Sequence, residues 1–235
     1  MYQKFTKYTS ILVFVQLFTL PVAIADDEKD SNALRTELEH LMQAASLRNS
    51  DVDIASGDLL LEIYERRNFL PAWSRQQQIG ELVSAIKATA ADGLDPADYH
   101  LERVELIYAD RLAGRKLSPE DKAVQDLILT DGLARLGYHQ QFGKVNPQTL
   151  DSNWNFRRDL NDIDAEVAIQ RAIDSPSLTD FLKDFFPRGW FYQKLRAALA
   201  NYRQIAANGG WPVIPDGPTL RPGDSDSRLP VLAQR

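Results

Sequence analysis

The stretch "SPEDKAVQDLI", residues 118–128, carries the marks of a helix beginning. Ser118 offers an N-cap oxygen, and Pro119 sits at the first helical position, where its missing N–H is no loss. Glu120 and Asp121 place negative charge at the positive end of the helix dipole. Val124, Leu127 and Ile128 then open a buried face at three- and four-residue steps. The same spacing recurs on both sides. Upstream, Ile79, Leu82, Val83, Ile86 and Ala90 make one face of a helix. Near the end, Phe191, Leu195, Ala198, Leu199, Tyr202 and Ile205 make another, which places Leu195 and Leu199 in the core. No long β-branched alternation interrupts this pattern. The predicted fold class is mostly α, with a single helical domain over residues 33–207.

Both ends differ from that body. Residues 1–25 read as a signal peptide: Lys4 and Lys7 form a basic start, Ile11 to Leu20 is an apolar run, and Ala23-Ile24-Ala25 fits a cleavage site. The run is too short for a transmembrane helix, so the chain is expected to be exported to the periplasm with no transmembrane domain after cleavage. Residues 26–32 are expected to be a flexible acidic leader. From Asn208 the composition changes. Gly209, Gly210, Gly217 and Gly223 join Pro212, Pro215, Pro218 and Pro222, so residues 208–219 are predicted as an extended linker. Residues 220–235 read as the incomplete start of another domain, a helix beginning near Ser227 with apolar Leu220, Leu229, Val231 and Leu232. A piece that short cannot bury its own apolar face and is expected to be mobile.

The composition excludes several chemistries. The formal net charge is −6 and the 235 residues include no cysteine. An acidic surface excludes a nucleic-acid partner, and the missing thiol removes thiolate nucleophiles and thiolate metal sites. His40, His100 and His139 are too far apart for a paired-histidine metal motif. Glu37, Glu39 and His40 cluster on a predicted helix and are read as a solvated face. There is no G-x-S-x-G elbow. The thirty-three acidic residues offer no single pair for glycan hydrolysis, so the sequence assigns no catalytic, cofactor-binding or metal residue. Trp73, Trp154, Trp190 and Trp211 are read as core plugs or linker anchors, with stacking on wall sugars as the alternative. "DFFPRGWFYQKL", residues 184–195, is read as a helix-start corner with inward rings, a binding groove being the alternative.

Several stretches, in order, look like one family: "IYERRNFLPAW" (63–73), "AADGLDPADYH" (90–100), "LARLGYHQQFGKVNP" (133–147), "NW" (153–154), "FFPRGWFYQKLRAALANYR" (185–203) and "WPVIPDGPTLRPGDSDSRLPVLAQR" (211–235). Together they resemble the N-terminal scaffold domain of the large periplasmic murein L,D-transpeptidases. The last stretch is similar to the opening of the peptidoglycan-binding module that follows in that family. The motifs have local physical reasons. Gly93 is expected to end a helix in the left-handed conformation, Asp95 and Pro96 to cap and start a short turn, and Tyr99 to fold onto the core. Gly143 ends the preceding helix, and Pro147 blocks its continuation.

The resemblance implies a place in peptidoglycan metabolism. Family members cross-link stem peptides with a cysteine in a separate C-terminal domain, and no cysteine occurs here. The expectation is therefore a truncated L,D-transpeptidase-like protein that is not itself an enzyme, needs no cofactor, and has peptidoglycan or a cell-wall enzyme as partner. The alternative is a stand-alone exported module that binds the wall or regulates a wall enzyme. A carboxylate-dependent wall hydrolase is the third reading.

Overall fold

The computed structural model describes residues 20–146 and 164–235, with Thr149 between them, and side chains from Asp26 onward. Residues 1–19, Pro147 and Trp154 lie outside the described residues. Nine α-helices are seen among the described residues, and no strand: α1 Leu20–Ala44, α2 Gly57–Arg66, α3 Gln76–Ala88, α4 Leu101–Leu112, α5 Pro119–Phe142, α6 Ala165–Asp174, α7 Leu178–Lys183, α8 Trp190–Ala207 and α9 Leu229–Gln234. The mostly α prediction holds.

Helix α5 is the axis of the domain. Its start follows the sequence: the Ser118 hydroxyl accepts from the Asp121 N–H at 3.0 Å, and Pro119 occupies the first turn. From Leu127 to Ala134 every residue is buried, so the helix is enclosed all round instead of showing one wet face. Helix α1 lies along it through Leu34, Leu38 and Leu41. Helices α2, α3, α4 and α6 cover its other sides, with α7 packed behind α3 and α6. Leu60, Ile79, Leu82, Ile86 and Leu127 are wholly buried, each contributing about 1.5–3 kcal/mol by leaving water.

The turn between α3 and α4 positions the site. Gly93 takes φ +81° and closes a 3₁₀ turn over Thr89–Asp92. Asp95 accepts from the Ala97 N–H at 3.0 Å and starts a second such turn, Pro96–Tyr99, which drives Tyr99 into the core. That turn presses on α5 at Gly132, where a Cβ would stand 3.1 Å from the Tyr99 carbonyl oxygen. At the other end of α5, Gly143 donates its N–H to the His139 carbonyl and stops the helix with φ +78°.

Three expectations need correction. Residues 26–32, read as a flexible leader, are part of α1, because Asp30 receives the Lys122 ammonium of α5 at 2.8 Å and anchors that turn. Glu37 is not solvated: it is buried and accepts from the Arg48 N–H at 2.6 Å, whereas neighbouring Glu39 is exposed. Helix α8 exposes the face the sequence placed inside, with Leu195 54% exposed and Leu199 only half-buried. The reason is polar. Arg196 pairs with Asp92 at 2.7 Å and Arg203 donates to the Ala90 carbonyl, and these contacts rotate the apolar stripe away from the domain. Beyond α8, residues 208–228 hold no helix or strand, and α9 has no buried residue.

Candidate functional site

Two aspartates stand inside α5, in "DLILTDGLARL", residues 126–136. A charged group in a buried helix persists only when donors surround it. Asp126 has three. Its Oδ2 accepts from the Ala72 N–H at 2.7 Å and the Tyr64 hydroxyl at 2.7 Å, and its Oδ1 from the Trp73 N–H at 3.0 Å. Thr130 Oγ1, one turn on, accepts the Trp73 indole N–H at 2.9 Å. Burial pushes the Asp126 carboxyl up, against the pull of those donors, and pushes the Tyr64 phenol well above its ordinary value. The network ties the segment after α2 to the middle of α5.

Asp131 ties the starts of two further helices to α5. Its side chain is fully buried. Oδ1 accepts from the Ser56 N–H at 3.0 Å and from the Ser56 hydroxyl; Oδ2 accepts from His100 Nε2 at 2.6 Å and Arg135 Nε at 2.6 Å. Ser56 is the residue before α2, and His100 the residue before α4. One carboxylate therefore fixes the starts of two helices on the side of a third. His100 is held at φ +59°, a left-handed conformation that disfavours a side-chain-bearing residue, and its bond to Asp131 supports it there. Burial alone would raise the Asp131 carboxyl. The bonds from His100 and Ser56 and the Arg135 charge outweigh it and hold the group below the usual carboxylate range.

Ser, His and Asp meet here, but not in catalytic order. A nucleophile needs its proton aimed at a base that the aspartate orients. Here the serine hydroxyl and the histidine both spend their bonds on the carboxylate. Beside the junction lies an open groove of about 670 Å³, lined by Leu41, Met42, Ile54, Ser56, Arg135 and Tyr138 among others. His139 also lines it, with Nδ1 3.0 Å from the Tyr99 hydroxyl. Arg135 crosses from this groove to a second cleft walled by Asp51, Asp53, Asp95 and Asp98.

The histidines flagged in the sequence stay apart in function. His100 joins Asp131, His139 lines the groove, and His40 Nδ1 lies 3.0 Å from the Ser46 carbonyl. Among the described residues no cluster of His, Cys, Asp or Glu has the makings of a metal site. Trp73 is the core plug expected of it, 1% exposed. Trp190 is not, at 71%, whereas Trp211, 42% exposed, holds the linker edge-on against Tyr202 at 5.5 Å, the anchor half of that reading. The 184–195 corner is split accordingly: Phe185 and Phe186 are half-buried, and Trp190 and Phe191 face outward. Asp126, Asp131 and Arg135 escaped sequence reasoning, although two acids bracketing "LILT" on one enclosed helix were a usable signal.

The described residues make a helical domain pinned by buried carboxylates. Within it, the family model described as a scaffold domain matches residues 58–199, more than half of the chain, and the chain belongs to that family. No curated protein and no solved structure matches the chain. No helix among the described residues is long and apolar enough to cross a membrane.

Proposed function

We propose that this chain is the scaffold part of an exported, L,D-transpeptidase-like protein of peptidoglycan remodelling, and that these residues support or dock the wall machinery without carrying acyl transfer. The observation that carries the reading is the overlap of the scaffold-domain match over 58–199 with the "DGLDPADY" turn, whose Gly93, Asp95 and Tyr99 play the local roles its residues demand. L,D-transfer proceeds through a thioester, which requires a thiolate, and this sequence contains no cysteine. Residues 211–235 are read, on resemblance, as the opening of a peptidoglycan-binding module. The test incubates the purified protein with tetrapeptide-bearing muropeptides and a carbapenem. No L,D-cross-linked dimer and no covalent adduct by mass are expected; either product would overturn the reading.

A second reading, a wall-binding or regulatory module, is favoured by the open groove at Arg135 and Tyr138. Co-sedimentation with purified sacculi tests it. Retention that Tyr138→Ala abolishes would support binding through the groove, and no retention would leave support as the role.

A further inference from the structure

Helix α8 presents its apolar residues in a pattern that names its partner's shape. Phe191, Leu195, Ala198, Tyr202 and Ile205 follow one another at steps of four, three, four and three, the spacing of a coiled-coil seam. Arg196, Leu199 and Arg203 dock on the 89–93 turn from a direction roughly 100° round the helix, at 3.6 residues per turn. The seam is left open: Phe191, Leu195 and Tyr202 are each more than half exposed, with Trp190 beside them and Trp211 edge-on to Tyr202 at 5.5 Å. With large aromatic side chains presenting about 150–250 Å² each, this strip exposes on the order of 700 Å², close to the ~800 Å² that each partner of a stable pair contributes.

We propose that the strip is the interface between two copies of this chain, paired antiparallel through α8. The register follows from side-chain size. Setting Leu195 against Ala198 of the second copy places Phe191 against Tyr202 of the second copy, and two-fold symmetry repeats both layers. A large residue meets a small one at the centre, and an aromatic pair closes each end. Charge permits the approach. The chain is acidic overall, yet between Pro187 and Pro215 it holds Arg188, Lys194, Arg196 and Arg203 and no acid. Arg188 and Arg196 are paired with Asp184 and Asp92. Lys194 lies over the Trp190 ring at 5.0 Å. In this register the two Lys194 residues are offset by five positions, about 7.5 Å along the helix axis, and their exposed ammonium groups on flexible stems are screened by salt and water. The interface rests on α8 alone and does not depend on the cell-wall reading.

Sedimentation of the purified protein from about 1 to about 200 µM tests the pair across more than two decades of dissociation constant. A concentration-dependent dimer is expected, with Leu195→Asp weakening it at least about tenfold, a difference of about 1.4 kcal/mol. Leu195 is exposed, so circular dichroism should show that variant folded. Because the chain lacks cysteine, Leu195→Cys and Ala198→Cys report the register independently. Mixed and oxidised, the two variants should cross-link to each other faster than either does to itself. A monomer throughout the range, a dimer indifferent to Leu195→Asp, or cross-linking confined to like variants would each overturn the proposal.

Discussion

Removing the Asp131 carboxylate should do more damage than removing any surface charge. In Asp131→Ala the Ser56 N–H, the His100 imidazole and the Arg135 guanidinium lose their shared acceptor in a fully buried position. Hydrogen bonds to a charged group are worth about 1.5–3 kcal/mol each, but donors on one acceptor do not add. Breaking a buried ionic junction from one side costs about 3–5 kcal/mol, and we adopt about 4. For a domain of this size that lowers Tm by roughly 8–16 °C. Asp131→Asn, which keeps the shape and one acceptor, should lose about half as much. Urea denaturation of both variants, and of Arg135→Ala singly and combined with Asp131→Ala, measures the losses and the coupling. A loss below about 1 kcal/mol for Asp131→Ala, with an unchanged m-value, would refute the view that this carboxylate holds the helix starts in place.

Acid should reveal the same group. The folded Asp131 pKa is lowered, so its stabilisation is fully present above the unfolded value of about 3.9 and disappears as pH falls through the folded one; between about pH 5 and pH 2 the native protein should lose more stability than Asp131→Asn. Leu195→Ala should change stability by less than about 0.5 kcal/mol at low protein concentration, against about 2–5 kcal/mol for the buried Leu60→Ala. Gly132→Val, forced against the Tyr99 carbonyl, should destabilise by about 1–3 kcal/mol in thermal melts. Tyr64→Phe, which strips one donor from buried Asp126, should cost about 1–3 kcal/mol by denaturant titration.

What the sequence revealed were the features with local causes. The Ser118 cap, the Gly93 stop and the Asp95-Pro96 start depend on neighbours within four residues, and each stands where the residues put it. Periodicity located the buried faces of α3 and α5 for the same reason. It failed at α8, because spacing finds an apolar stripe but not the direction it faces. That direction was set by Asp92 and Ala90, about a hundred residues away, through Arg196 and Arg203. The Asp131 junction was hidden likewise. Arg135 is a local partner one turn on in the same helix, but Ser56 and His100 are ordinary residues in two distant segments, and only the packing of α2 and α4 against α5 brings them to that carboxylate.

The way α8 is attached divides the molecule's motions. Amides in the middle of α5 are covered from every side, so their exchange with solvent deuterium requires the whole domain to open. Helix α8 meets the domain mainly at the 89–92 turn, through two arginines and Leu199, and has no fully buried residue. It can lift off while the other helices stay assembled. Exchange in α8 should therefore run orders of magnitude ahead of exchange in α5, and a protease should cut between Lys183 and Trp190 before it touches the helices that enclose Asp131.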